Sequence, residues 1–207
     1  MKILVALDAP MDNYPRLKAK ISKYDLVIAA DGAVRHLQAL SLTPDIIVGD
    51  FDSFKSIPKE WKKVELIKYP KQKDVTDGEL AINLAVEKGA SEIDIIGLTG
   101  GYLDHTLANL ELLKFIPKNI KVTSFSEDET VYRITGQRTI QAMAGDRLSI
   151  LNLVGTPKIK TTGLKYNLDN SVLKSPTHGI SNEAKGNKIN VSISGEGMIM
   201  LIAYSRK

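Results

Sequence analysis

The sequence predicts two domains: an α/β domain over residues 1–127, built on a doubly wound, mostly parallel sheet, and a small all-β sandwich or barrel over residues 128–207. Three observations predict it. Short apolar runs alternate with helical patterns as far as residue 125, the strand–helix–strand rhythm of α/β folds. Most of those runs are too apolar for a one-sided sheet, as strands covered on both faces require. After Ser126-Glu127-Asp128-Glu129 the helical period stops, and short β-type runs separated by Gly, Asn and Ser turns follow.

Taken in order, residues 3–7, 26–30, 46–48, 64–67, 93–98 and 122–125 read as the strands of the first domain, and residues 14–22, 33–40, 76–88 and 104–115 as its helices. The third helix is well marked. Thr76-Asp77-Gly78-Glu79 has the form of a capping box, and Lys88-Gly89 supplies a stop. For the fourth, Asp104 is the expected N-cap, Leu103, Leu107, Leu110 and Leu113 form the expected buried stripe, and Pro117 follows the end. In the second domain, residues 131–134, 138–142, 148–154, 189–193 and 198–204 read as strands, the fourth with strict alternation.

Composition narrows the function. The chain has 207 residues, 43% hydrophobic and 25% charged, enough for a sizeable core. A net charge of +4 with scattered basic residues predicts no nucleic-acid partner and favours a small anionic ligand. The absence of cysteine excludes disulfides, thiolate metal sites and cysteine nucleophiles. No apolar stretch approaches a membrane span, and the run after Met1 is too short for a signal peptide, so a cytoplasmic protein without membrane attachment is expected.

In open α/β sheets ligands bind beyond the carboxyl ends of the strands, where this chain gathers its acids. Asp31-Gly32 follows the second run, Gly49-Asp50-Phe51-Asp52-Ser53 the third, Lys73-Asp74-Val75-Thr76-Asp77 leads into the third helix, and Gly100-Gly101 with Asp104 follows the fifth run. In an extended backbone Asp50 and Asp52 would face one guest while Phe51 turned into packing. Carboxylates of this kind, with phosphate oxygens and water, hold Mg²⁺. Neither a P-loop nor a G-x-G-x-x-G turn is present. Phosphate is therefore expected at the backbone of Gly100-Gly101, at the helix start near Asp104 and at Lys73, with His105 as a further donor and Asn109 one turn on.

Four blocks in this order closely resemble the thiamine pyrophosphokinase family: Ala30-Asp31-Gly32-Ala33, Pro44 to Ser53, Lys73 to Ala81, and Gly97 to His105 with Asn109. Residues 162–168 and Gly179-Ile180-Ser181-Asn182 are similar to that family's C-terminal signatures. The resemblance implies transfer of the diphosphoryl group of ATP to the hydroxyl of thiamine, giving thiamine diphosphate and AMP, with Mg²⁺. It implies that Asp50, Asp52, Asp74 and Asp77 form the catalytic and metal site. Asp31, Gly32, Ser53, Lys73, Thr76, Gly100, Gly101, Asp104, His105 and Asn109 are then placed around the nucleotide, and Tyr166, Ser181 and Asn182 around thiamine. It also implies a homodimer in which the β domain of one subunit serves the site of the other. Tyr102 stands where the family usually has arginine, Ala33 where a second glycine is common, and Asp8-Ala9-Pro10 where the first turn is usually glycine-rich. The alternatives are a diphosphotransferase for another alcohol such as a pterin, a glycosyltransferase or phosphohydrolase using the D-x-D, and a non-catalytic thiamine- or nucleotide-binding protein.

Overall fold

A computed structural model describes residues 1–52, 58–59, 61–72 and 74–204. The chain forms two compact units, Met1–Glu127 and Asp128–Lys207. Unit 1 contains strands β1 (Lys2–Ala6), β2 (Leu26–Ala30), β3 (Ile46–Gly49), β4 (Glu65–Lys68), β5 (Glu92–Ile96) and β6 (Lys121–Phe125). Its helices are α1 (Tyr14–Lys18), α2 (Val34–Leu40), α3 (Asp77–Glu87) and α4 (Leu103–Leu112), with a short 3-10 turn, Asp31–Ala33, before α2. The strands pair in parallel in the order β6-β5-β1-β2-β3-β4.

The order follows from burial. Ile3, Leu4, Val5 and Ala6 of central β1 are fully buried, while β4 at the edge is mostly exposed, with Leu66 45% exposed between Glu65 and Ile67. Charged residues on that strand keep the open edge from pairing with another chain. A core of Leu4, Leu17, Ala29, Leu37, Ile47, Trp61 and Ile96 fills one side of the sheet. α1 ends at Lys18 rather than at Ser22, because the backbone turns at Ala19–Ile21.

Two helix expectations meet different outcomes. In α3 the Thr76 hydroxyl accepts the backbone N–H of Glu79 at 3.1 Å, and Gly89 leaves the helix at φ +79°. In α4 the N-cap is Tyr102, without a side-chain cap, rather than Asp104. None of its ten residues is buried: Leu103 is 72% and Leu107 54% exposed, and of the expected stripe Leu113 alone, just past the helix, is in the core.

Unit 2 is a two-sheet sandwich. Its strands are β7 (Glu129–Ile134), β8 (Gln137–Gln141), β9 (Arg147–Gly155), β10 (Lys158–Thr162), β11 (Asn182–Glu183), β12 (Lys188–Ser194) and β13 (Gly197–Tyr204). One antiparallel sheet runs β11-β9-β13-β7, the other β10-β12-β8. Leu148, Ile150, Ile199 and Leu201 of the first face Ile140, Ile159, Ile189 and Val191 of the second in one core. Strands β10 and β11 go beyond the expectation. In β10 Ile159 and Thr161 point inward and the flanking Lys158 and Lys160, read from the sequence as scattered basic residues, are on the exposed side of a strand paired with β12.

Candidate active site

The carboxyl ends of the unit 1 strands open into a cavity of about 610 Å³. Its lining includes Asp8, Asp31, Gly32, Arg35, Asp50, Lys71, Thr76, Asp77, Gly100, Gly101, Tyr102, His105 and Asn109. Loops from separate strands meet here because β5, β1, β2 and β3 are neighbours and all run the same way.

Oxygens of Asp31 and Asp50, which line the cavity, and of exposed Asp52, which lies beside it, are all within 4.8 Å of one another. The means differ from strand alternation. β3 ends at Gly49, Phe51 takes φ +65°, and the backbone N–H of Asp52 donates to Asp50 Oδ1 at 3.0 Å. A turn, not an extended ladder, therefore presents both carboxylates, while Phe51 packs against the core. Asp31 is 3% exposed and accepts the Phe51 N–H at 3.0 Å. Burial, then the charge of Asp77 and more weakly that of Asp50, holds its carboxyl above the usual carboxylate value, against the pull of backbone donors from Phe51 and Gly32. Asp52 is paired with Lys71, whose ammonium is raised by that hydrogen bond and charge.

At 4.8 Å, and with an effective dielectric near 20, two ionised carboxylates repel by about 3 kcal/mol. Three hard oxygen donors in that space fit a divalent cation such as Mg²⁺, which takes carboxylate oxygens and retains water and phosphate oxygens. Asp77 stands next to this group, at the first turn of α3, with a buried Oδ1. Asp74 is exposed and is not among the residues that line the cavity.

The phosphate-side residues divide in the same way. Gly100 (φ +113°) and Gly101 (φ +68°) line the cavity, but the Gly100 N–H is taken by Thr106 Oγ1 at 3.1 Å. A β-carbon on Gly101 would lie 3.0 Å from Pro10 Cδ, so the loops after β1 and β5 pack closely there. Asn109 lines the cavity with its Nδ2 donating to Leu98 O at 3.1 Å, and His105 lines it with its ring 6.1 Å from that of Tyr102. Asp104 is exposed and accepts the His105 N–H at 2.8 Å. Ser53 and Lys73 lie outside the described residues. Asp8, which the sequence marks only as part of a first turn that is not glycine-rich, and Lys71, a lone charge with no motif spacing, also line the cavity.

In unit 2, Tyr166 is 66% exposed, and Ser181 is exposed with φ +58° while accepting a hydrogen bond from Arg147 Nη2 at 3.1 Å. Asn182 is 8% exposed and committed to the chain itself. Its Oδ1 accepts the N–H groups of Tyr166 (3.1 Å) and Glu183 (2.9 Å), and its Nδ2 donates to Tyr166 O at 2.7 Å. Asn182 thus fixes the backbone that presents Tyr166.

Comparison with known proteins adds a family. Residues 17–124 match the model of the thiamin pyrophosphokinase catalytic domain, and residues 132–198 that of the thiamin pyrophosphokinase vitamin B1 binding domain. The chain is 30% identical over 191 residues to the thiamine pyrophosphokinase of Bacillus subtilis, covering 87% of this chain and 88% of that protein. The crystal structure of thiamine pyrophosphokinase from Bacillus subtilis superposes with a TM-score of 0.85 at 27% identity, covering 100% of both chains. The thiamin pyrophosphokinase of Geobacillus thermodenitrificans gives 0.80 at 27%, covering 100% of this chain and 99% of the other. At 17% identity, the Candida albicans enzyme shares the fold with a TM-score of 0.74, covering 99% of this chain and 89% of its own.

Proposed function

This chain belongs to the thiamin pyrophosphokinase family, and on that premise we propose that it transfers the diphosphoryl group of ATP to the hydroxyl of thiamine, giving thiamine diphosphate and AMP. The observation behind this reading is the meeting of Asp31, Asp50 and Asp52 at the edge of a cavity lined by the first two, in the very segment that matches the family's catalytic domain.

Asp31, Asp50 and Asp52, with Asp77 beside them, would hold Mg²⁺, which when bound offsets the negative charge of the triphosphate. The cavity aligns the donor, and its walls limit the access of water. In the transfer, the thiamine hydroxyl oxygen bonds to the β-phosphorus as the bond from that phosphorus to the α,β-bridging oxygen breaks. AMP leaves with the electron pair, and the hydroxyl proton passes to a carboxylate. Asp77 is assigned that role over Asp74 because it lines the cavity while Asp74 stands outside it.

Thiamine is assigned to Tyr166 and Ser181 of the β unit, with Asn182 as the residue that holds Tyr166 in place. We take the working form to be a cytoplasmic homodimer. The open leucine face of α4 supports the dimer, because a helix with Leu103 and Leu107 in water gains from being covered.

The test is the nucleotide product from MgATP with and without thiamine. Thiamine-dependent AMP with an equal amount of thiamine diphosphate is the expected result. Thiamine-dependent ADP, or AMP only with another alcohol, would overturn it.

A further inference from the structure

We propose that Arg35 is the cation that receives the phosphates of the nucleotide donor, held in place by Asp8 and, behind it, by buried His36 and half-buried Tyr14. This rests on the reading above, since it concerns the donor of that reaction.

Charge makes the first argument. Among the described residues lining the cavity the acids are Asp8, Asp31, Asp50 and Asp77, and the fixed cations are Arg35 and Lys71. Lys71 is paired with Asp52. A polyphosphate entering this cavity needs a positive group on the β1 side of the acid cluster, and Arg35 stands there, at the start of α2.

Geometry makes the second. Arg35 Nη2 lies 2.9 Å from Asp8 Oδ1 and donates to Asp8 O at 3.2 Å, so one corner of the guanidinium is fixed by two acceptors of one residue. The side chain is 61% exposed, and its planar fork keeps further N–H donors for a ligand. Asp8 is itself held. A β-carbon on Gly32 would lie 2.5 Å from Asp8 Cγ and Oδ2, so the carboxyl rests on the bare backbone of Gly32. From the other side, His36 points Nε2 at Asp8 Oδ1 from 3.5 Å, with its side chain only 3% exposed. The His36 Nδ1 is 2.8 Å from the Tyr14 hydroxyl. If the hydroxyl donates to Nδ1, the ring proton sits on Nε2 and faces Asp8. That buried Nε2 makes no ordinary hydrogen bond among the described residues. A ring nitrogen kept dry and aimed at a carboxylate serves to set where that carboxylate, and hence Arg35, stands. An exposed ion pair contributes only about 0–1 kcal/mol, so stability alone gives weak reason for the arrangement.

The test compares the full-length wild type with Arg35→Met, Arg35→Lys and His36→Gln. Calorimetry measures binding of α,β-methylene ATP with Mg²⁺, which cannot be cleaved at the reacting bond, and kinetics gives KM for MgATP and for thiamine separately. Arg35→Met is expected to weaken nucleotide binding and raise the MgATP KM about tenfold or more, with the thiamine KM within about twofold. Arg35→Lys recovers part of the loss, and His36→Gln shifts the nucleotide constants in the same direction by about threefold. Mn²⁺ binding to the acid cluster stays unchanged. Wild-type nucleotide affinity in Arg35→Met, or an equal rise in both KM values, overturns the role of Arg35. A His36→Gln protein that melts lower yet binds nucleotide normally overturns the positioning role. If the wild type makes no thiamine-dependent AMP, the transferase reading fails, while calorimetry still decides whether Arg35 binds the nucleotide.

Discussion

Gly49 and Asp31 are packed so tightly that a β-carbon on Gly49 would lie 2.7 Å from both Cβ and Cγ of Asp31. Gly49 also has φ +152°, where side chains are strained. The end of β3 is thus shaped to admit the Asp31 carboxylate into the acid cluster. Gly49→Ala is expected to lose about 1–3 kcal/mol of stability in urea unfolding and to lose turnover as Asp31 is displaced. A fully active, equally stable variant would remove the close fit as a determinant of the site.

Burial and the neighbouring Asp77 disfavour the charged form of Asp31 and hold its carboxyl above the usual value. Asp31→Asn relieves that conflict, so the metal-free variant is expected to melt no lower than the wild type, while turnover falls about 100-fold or more. Added Mg²⁺ raises the melting temperature of the wild type by binding the folded form and raises that of Asp31→Asn much less. An equal Mg²⁺ response in the two proteins would place the cation elsewhere.

Glu127 gives a pH test away from the cavity. Its Oε1 accepts the N–H groups of Asp12 at 3.0 Å and Asn13 at 3.4 Å, at the entry to α1. Partial burial pushes its carboxyl up, but those donors and the Lys20 charge outweigh it and hold it below the usual value of 4.5. A depressed carboxyl stabilises the fold above its unfolded pKa, and that stability is lost as pH falls through its folded one. Glu127→Gln is accordingly expected to be less stable than wild type at neutral pH, with the two converging in acid below about pH 4. Melting curves from pH 3 to 8 check it; a difference that persists in acid would rule out the charge as its source.

Asn182→Ala would remove three hydrogen bonds by which the Asn182 side chain, on β11, holds the backbone of Tyr166 and Glu183. A cost of about 1–3 kcal/mol is expected from the buried backbone groups left without partners. The thiamine KM rises while that for MgATP holds. A change in the MgATP KM alone would contradict the assignment of this region to thiamine.

Much of the fold was legible because it rests on periodicity. The apolar runs that became β1, β2, β3 and β5 read as strands with cover on both faces, and the Thr76 cap names the start of α3 within one residue. What escaped depends on single residues. The left-handed Phe51 is invisible to any pattern, so Asp50 and Asp52 read as neighbours on a strand and prove to be neighbours in a turn. The leucines of α4 mark an apolar face but not what lies against it, and in this chain the face is open. Arg35 could be named from the sequence, beside Lys73, as a cation to stand in for the arginine that Tyr102 replaces; His36 could not, and only the placement of α2 beside Asp8 shows what holds the pair. The clamp of Asn182 on Tyr166 spans sixteen residues of chain and has no local signal.

Strand β1 begins at Lys2, and one of its two partners, β5, begins only at Glu92. During synthesis the middle of the sheet therefore leaves the ribosome long before the strand that completes it. Until then Ile3, Leu4 and Val5 offer an unpaired parallel edge, the kind of surface that recruits stray strands. The same delay keeps the Gly100-Gly101 wall from meeting Pro10, so the cavity cannot be complete before β5 has emerged and paired with β1.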